Sequence, residues 1–136
     1  MKNNKYYRVY AEINLDAIVK NVDNLMALTK ENTGALAVVK ADGYGHGDVA
    51  VAKAVAQKVT GYAVATLDEA VNLRENGVKK PILVLGYVDP YEFDILVSHE
   101  ITATVFDVET AQLLADAARV QKKQAHCHIK VDTGMR

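Results

Sequence analysis

The chain of 136 residues contains no tryptophan, two prolines and one cysteine, Cys127. A single cysteine cannot form a disulfide within the chain, which favours a reducing compartment and predicts a cytoplasmic protein. The formal net charge is −1, so the charge balance gives no reason to expect nucleic acid or an anionic membrane as a partner. No apolar run reaches the roughly 18 residues of a membrane-spanning helix, and residues 1–10 lack the apolar segment of a signal peptide.

Half of the residues are hydrophobic and 24% are charged, a balance typical of a folded globular domain. Short apolar runs alternate along the chain with segments of helical periodicity, and the connections between them are short. We predict strands in five apolar runs: residues 36–39, 62–65, 82–85, 103–106 and 126–131. A weakly alternating segment at residues 7–13 is predicted as a further strand before the first helix.

The predicted helices carry recognisable start signals. Asn14 is placed to cap a helix with one apolar stripe, which comprises Leu15, Ile18, Val22, Leu25 and Met26. Further helices are predicted at residues 48–58, from residue 66, from near residue 89 and at about 109–119. Thr66 and Glu69 match a capping box, and Pro90 suits the first turn of a helix.

Five β/α units follow one another without an intervening linker, which predicts an α/β fold with a parallel sheet and right-handed crossovers. Residues 1–136 are therefore predicted to form one domain. A doubly wound sheet and part of a (β/α)8 barrel fit this pattern equally well. A complete barrel takes about 250 residues, so five units would be only part of one.

The apolar run at residues 35–39 is followed at once by Lys40 and a glycine-rich loop. Lys40 is expected where a buried parallel strand ends, the edge at which such sheets and barrels bind ligands. A lysine partly shielded from water there is a usable amine nucleophile toward an aldehyde. Asp48 is expected to cap the next helix, whose N-terminus favours phosphate. An aldehyde and a phosphate together describe pyridoxal phosphate.

Residues 38–47, Val-Val-Lys-Ala-Asp-Gly-Tyr-Gly-His-Gly, resemble the cofactor-lysine motif of the alanine racemases. Four further segments resemble the family in the same order: residues 11–18, 67–70, 81–86 and 130–135. The resemblance covers nearly the whole chain and implies the N-terminal part of a (β/α)8 TIM-type barrel. Alanine racemases continue into a β-rich second domain, which nothing in these residues resembles. We therefore expect residues 1–136 to be a truncated portion of a longer enzyme.

The resemblance also implies roles for individual side chains. Lys40 would bind pyridoxal phosphate covalently and then remove or deliver the Cα proton on one face of the substrate. Tyr44 would reach the cofactor phosphate with its hydroxyl. Val38 and Leu85 match positions that line the cofactor pocket, although ordinary barrel core explains both equally well.

The end of the chain matches a second family motif. Lys130 corresponds to a lysine that is carbamylated in many members and then orients an arginine; the alternative is a lysine paired with Asp132 or solvent. In the family, Asp-Thr-Gly-Met is followed by one variable residue and then by the arginine that contacts the cofactor. Arg136 occupies the variable position and is not assigned to the site. No metal site is predicted, because possible ligands alternate between faces of one strand: His126, Cys127 and His128.

The function implied by the resemblance is interconversion of L-alanine and D-alanine, which supplies D-alanine for the peptidoglycan of the cell wall. The resemblance also implies a homodimer, in which a tyrosine of the second domain, supplied by the partner subunit, is the base opposite the lysine. We therefore expect no racemase activity from residues 1–136 alone. Two alternatives stay open: a non-racemising barrel that carries pyridoxal phosphate, and a serine or broad-specificity amino-acid racemase.

Overall fold

The structure, a computed structural model, describes residues 9–134. Within this range the strands are β1 (Leu36–Val38), β2 (Gly61–Val64), β3 (Ile82–Val84), β4 (Ala103–Val105) and β5 (Cys127–Ile129). The helical elements are α1 (Leu15–Met26), α2 (Lys40–Gly45), α3 (Asp48–Ala54), α4 (Leu67–Glu75), α5 (Phe93–Ser98) after a 3-10 turn at Pro90–Glu92, and α6 (Val108–Val120). Each of the five strands predicted from residue 36 onward is present, most of them shorter than predicted.

The predicted strand at residues 7–13 is wrong over residues 9–13, which form no regular element. Residues 7 and 8 lie outside the described range. Val9 and Tyr10 are largely exposed, and no strand within the described range pairs with this segment. Its weak alternation therefore does not correspond to a buried sheet face.

The helix start signals are confirmed by the side-chain contacts at the N-termini. The Asn14 Oδ1 atom accepts a hydrogen bond from the Ala17 N–H at 3.0 Å, which caps α1. Thr66 and Glu69 form the reciprocal capping box of α4. The last helix begins one residue earlier than predicted, because Asp107 caps it by accepting the Thr110 N–H at 2.7 Å. None of the helices described in residues 9–134 has the length and apolar composition needed to cross a bilayer.

All strand pairings in the described chain are parallel. β1 pairs with β2 and β2 with β3, while β4 pairs with β5. A parallel bridge between Leu83 and Thr102 connects the two groups. The spatial order therefore follows the chain order, which is the arrangement of successive right-handed βαβ units.

The helices cover one face of this sheet. Alternate strand residues face a common core with α3, α4, α5 and α6, namely Tyr62, Val64, Ile82, Val84, Ala103 and Val105. The opposite face carries Leu36 and Val38 of β1, which are 41% and 43% exposed, and the buried Ala63, Leu83 and Thr104. A doubly wound sheet would carry helices on both faces. Helices on one face only indicate part of a (β/α)8 barrel, in which the uncovered face lines the interior.

Arg74 ties the loops at the amino ends of the strands together. Its guanidinium donates hydrogen bonds of 2.7–3.0 Å to four backbone carbonyls, those of Val78, Lys80, His99 and Glu100. Burial lowers the pKa of this guanidinium, and the charge of Glu100 partly opposes that shift. Arg74 therefore supplies hydrogen-bond donors to two loops at once, the loop before β3 and the loop before β4.

We expect Arg74→Met to lower the free energy of unfolding by about 1–3 kcal/mol, because it leaves partly buried carbonyls without a donor. Arg119→Met is the matched control, since Arg119 is exposed and makes one ion pair with Asp116 at 2.7 Å. Such surface changes cost within about 0.5 kcal/mol. Urea unfolding followed by circular dichroism measures both. Equal losses in the two variants would contradict a structural role for Arg74.

Candidate active site

The carboxyl ends of the strands bring three predicted site residues to one edge of the sheet. Val39 extends the pairing of β1 by donating to the Ala63 carbonyl at 2.9 Å, and Lys40 follows it directly. The Leu85 N–H donates to the Val64 carbonyl at 2.8 Å, and the Lys130 N–H donates to the Val105 carbonyl at 2.9 Å. Lys40, Leu85 and Lys130 thus lie just beyond β1, β3 and β5, at the edge where barrels bind ligands.

The α2 segment, predicted only as a glycine-rich loop, is a left-handed turn. The φ/ψ angles are 52°/52° for Ala41, 53°/46° for Asp42, 61°/38° for Gly43 and 55°/39° for Tyr44. Left-handed backbone costs roughly 1–2 kcal/mol for each residue that has a Cβ atom. Three such residues, Ala41, Asp42 and Tyr44, lie in this turn. Backbone of this kind persists only where the surrounding structure determines it, which is typical of functional sites.

Glycine is favoured at the centre of this turn. A Cβ atom on Gly43 would lie 3.2 Å from the Asp48 backbone nitrogen, and its φ is +61°. The Gly43 N–H donates to the Val39 carbonyl at 2.9 Å, and the Gly47 N–H donates to the Asp42 carbonyl at 2.8 Å. These bonds close the turn between the end of β1 and the start of α3.

The turn brings Lys40 and Tyr44 together. The Lys40 Nζ atom lies 5.9 Å from the centroid of the Tyr44 ring. Lys40 is partly buried, whereas Tyr44 is 60% exposed. Within residues 9–134, neither the Lys40 amine nor the Tyr44 hydroxyl has a hydrogen bond or an ion pair. A primary amine and a phenol are therefore both available to a ligand at this edge.

Asp48 anchors the far end of the turn, in a different way from that predicted. The N-cap of α3 is Gly47, and the Asp48 carboxylate accepts the Val49 N–H at 2.6 Å. The same carboxylate accepts a hydrogen bond from the Asn72 side chain of α4 at 2.9 Å. Asp48 is only 9% exposed. No sequence signal indicated Asn72, because its contact with Asp48 spans 24 positions.

Of the other predicted site residues, Lys130 and Leu85 are neighbours and Val38 lies apart from them in sequence. Val38 lies at the end of β1 on the uncovered face, paired in register with Ala63. The Lys130 amine donates to the Leu85 carbonyl at 3.2 Å and lies 5.3 Å from the centroid of the Phe106 ring. The structure thus joins Lys130 to Leu85.

Sequence comparison identifies the family of this arrangement. The profile described as "Alanine racemase, N-terminal domain" matches residues 13–136. The chain belongs to the alanine racemase family. The resemblance expected from the lysine motif is therefore confirmed over nearly the whole chain.

Three proteins illustrate the match. Alanine racemase 1 of Oceanobacillus iheyensis is 43% identical over 136 residues, which is 99% of this chain and 36% of that protein. A solved alanine racemase of Clostridium difficile 630 has a TM-score of 0.92 and 41% identity over 96% of this chain and 34% of its own. A histidine racemase of Leuconostoc mesenteroides has a TM-score of 0.82 and 28% identity over 90% of this chain and 33% of its own. The chain thus spans about a third of the length of the relatives that it matches.

These matches resolve the fold alternatives that the sequence left open. The structural likeness to alanine racemases confirms an α/β fold that is part of a TIM barrel, as the one-sided helix layer indicates. Doubly wound topology is excluded for the described residues. The family is one of pyridoxal phosphate-dependent isomerases. The lysine motif lies at the edge of the barrel where proteins of this fold bind ligands.

We expect Gly43→Ala to destabilise the protein more than Gly45→Ala. Both glycines have positive φ, +61° and +79°, but a Cβ atom on Gly45 has no neighbour within 4 Å. Gly45→Ala should therefore cost about 1 kcal/mol from backbone strain alone. Gly43→Ala should cost about 2 kcal/mol, because the Asp48 backbone must also move. Urea unfolding measures the difference, and equal costs would show that the turn is not tightly packed.

Proposed function

We propose that the protein binds pyridoxal phosphate through Lys40 and contributes the cofactor site of a racemase that interconverts L-alanine and D-alanine. The observation that carries this proposal is the juxtaposition of Lys40 and Tyr44 on the left-handed turn. Membership of the alanine racemase family supports it. In a cell with peptidoglycan, the product D-alanine would serve the cell wall.

The residues present fit this cofactor by their chemistry. Its aldehyde needs a primary amine, and its phosphate needs hydrogen-bond donors. The Lys40 amine and the Tyr44 hydroxyl supply one of each, and neither is engaged in a hydrogen bond within residues 9–134. When bound, the cofactor supplies a ring that delocalises the electrons left at Cα after a proton is removed.

The chain's own residues then have distinct tasks. Lys40 would hold the cofactor through its Nζ atom and would accept or return the Cα proton of the substrate at the same atom. Tyr44 donates a hydrogen bond to the phosphate and fixes the distance between the phosphate and Lys40. Val38 and Leu85 line the apolar side of the pocket and exclude water from the proton transfer.

Inversion of Cα requires a second base on the opposite face of the substrate. We propose that this base comes from the partner subunit of a homodimer, as the family resemblance implies. We also propose that the protein acts in the cytoplasm, where the exposed thiol of Cys127 would stay reduced. Residues 1–136 alone should therefore exchange the Cα proton without inverting it.

A second candidate substrate class comes from the histidine racemase, which shares this fold. That likeness favours an amino-acid racemase of another specificity as the alternative to an alanine racemase. Both candidates use Lys40 in the same way. The two candidates are distinguished by measuring exchange of the Cα proton with alanine, serine, histidine and lysine as substrates.

We expect the protein to retain pyridoxal phosphate after gel filtration, with a visible absorbance band that is lost in Lys40→Ala. Lys53→Ala is the matched control, since Lys53 is exposed on α3 and should change nothing. Tyr44→Phe removes only the hydroxyl and should raise the Kd about tenfold. Borohydride reduction followed by peptide mass analysis should place the cofactor on Lys40. Retention by Lys40→Ala would contradict the proposal.

Hydrogen exchange at Cα separates a racemase lysine from a carrier lysine. In deuterated water, a base on one face of the substrate exchanges the Cα hydrogen of one alanine enantiomer faster than that of the other. Free pyridoxal phosphate treats both enantiomers alike and gives the background. We expect enantiomer-selective exchange in the wild type and none in Lys40→Ala. Cofactor retention without selective exchange would favour the non-racemising carrier.

We further propose that Lys130 is carbamylated. The carbamate nitrogen keeps one N–H, so the hydrogen bond to the Leu85 carbonyl survives the modification while the lysine charge changes sign. Nuclear magnetic resonance with ¹³C-bicarbonate should show one carbamate signal that is absent in Lys130→Ala and present in the control Lys122→Ala. If both variants keep the signal, it does not come from Lys130, which then keeps its ammonium beside the Phe106 ring.

A further inference from the structure

Glu69 makes more hydrogen bonds than its place in a capping box requires. Its Oε2 atom accepts the Thr66 N–H at 3.2 Å, which is the capping-box bond. The same oxygen accepts the Ala65 N–H at 2.7 Å. The Oε1 atom accepts the Ala41 N–H, also at 2.7 Å. The two shorter bonds lie outside the capping box, so capping alone does not explain this side chain.

The bond to Ala41 reaches the residue directly after Lys40. Ala41 is the first residue of the α2 turn with a left-handed backbone, and its N–H points to the Glu69 carboxylate from 28 positions away in the chain. A carboxylate is a strong acceptor for backbone N–H groups. Glu69 therefore favours the peptide orientation that begins the left-handed turn, and it links that peptide to the end of β2 through Ala65.

The opposite end of the turn is held from the same helix face. Asn72 lies three residues after Glu69 on α4, so the two side chains are neighbours on one side of the helix. The Asn72 Nδ2 atom donates to the Asp48 carboxylate at 2.9 Å. The Asp48 N–H in turn donates to the Asp42 carboxylate at 3.0 Å. One face of α4 thus contacts the turn at Ala41 and, through Asp48, at Asp42.

We propose that Glu69 is a positioning residue for Lys40 and Tyr44, with Asn72 supporting it at the other end of the turn. Glu69 does not contact the Lys40 amine. It acts by holding the Ala41 peptide in the orientation from which the turn carries Tyr44 back toward Lys40. The inference rests on the proposed function in one respect only, that Lys40 and Tyr44 bind pyridoxal phosphate.

The test compares Glu69→Gln with Thr66→Ala. Glu69→Gln keeps the size of the side chain but replaces one acceptor oxygen with an NH2 group, which cannot accept an N–H. Thr66→Ala removes the hydroxyl that accepts the Glu69 N–H at 3.4 Å and leaves the carboxylate in place. If Glu69 only caps α4, the two variants should behave alike.

The first readout needs no cofactor. Hydrogen exchange of the Ala41 amide, followed by nuclear magnetic resonance in the cofactor-free protein, should be about tenfold faster in Glu69→Gln than in the wild type. Thr66→Ala should leave it within about twofold. Unchanged exchange of Ala41 in Glu69→Gln overturns the proposal, whatever the cofactor does.

The second readout is the Kd for pyridoxal phosphate, measured by its visible absorbance. We expect Glu69→Gln to raise the Kd about tenfold and to slow the appearance of the band, whereas Thr66→Ala changes neither. Faster Ala41 exchange with an unaltered Kd overturns the positioning role. If the wild type itself shows no Lys40-dependent band, the proposed function fails, and the exchange readout still decides whether Glu69 holds the turn.

Asn72→Ala provides a second variant if Glu69→Gln does not fold. Asn72 is exposed, so its loss should leave the secondary structure intact by circular dichroism. We expect faster exchange at the Asp48 amide and a Kd raised by a smaller factor than in Glu69→Gln. An unchanged Kd and unchanged exchange would show that α4 does not hold the turn at this end.

Discussion

The parallel register of β1, β2 and β3 is the constraint on which the candidate site depends. Successive strand residues alternate between two faces, so Val39 is buried against the helices while Val38 faces the open side of the sheet. A slip of one residue would exchange these faces and would move Lys40 from the ligand edge toward the helix layer. Burial of Val39 therefore fixes the position of Lys40, and packing at a strand end determines where the chemistry can occur.

The left-handed turn after β1 is not stabilised by regular strand pairing. Three of its residues carry a Cβ atom, and together their strain amounts to a few kcal/mol by the usual cost of left-handed backbone. A charge-assisted hydrogen bond contributes about 1.5–3 kcal/mol, so the short bond from the Ala41 N–H to Glu69 is large enough to offset part of that strain. The turn is thus held both by local bonds, such as that from the Gly47 N–H to the Asp42 carbonyl, and by the contact of Ala41 with α4.

Much of the fold could be predicted from the sequence because local signals agree with it. Apolar runs located the strands, and Asn14 and the Thr66–Glu69 pair marked two helix starts correctly. Residues 9–13 show the limit of this reasoning, since alternation without a partner strand produces no sheet. The conformation of Ala41 and Asp42 could not be predicted from the sequence for another reason. Both residue types ordinarily adopt right-handed or extended backbone. The Ala41 N–H bonds to a glutamate 28 positions away, and the Lys130 contact with Leu85 spans 45 positions.

The one-sided placement of Lys40 has a chemical consequence under the proposed function. A base that acts from one face can remove the Cα proton, but it returns a proton to the same face, so it exchanges hydrogen without changing configuration. Inversion depends on a donor at the opposite face, whose position is independent of the α2 turn. For the enantiomer whose Cα hydrogen faces Lys40, defects in the turn should therefore affect proton removal and cofactor binding together, whereas defects in the opposite base would leave both intact and abolish inversion alone. Lys40 thus governs how fast that enantiomer loses its proton, and not the side from which a proton returns.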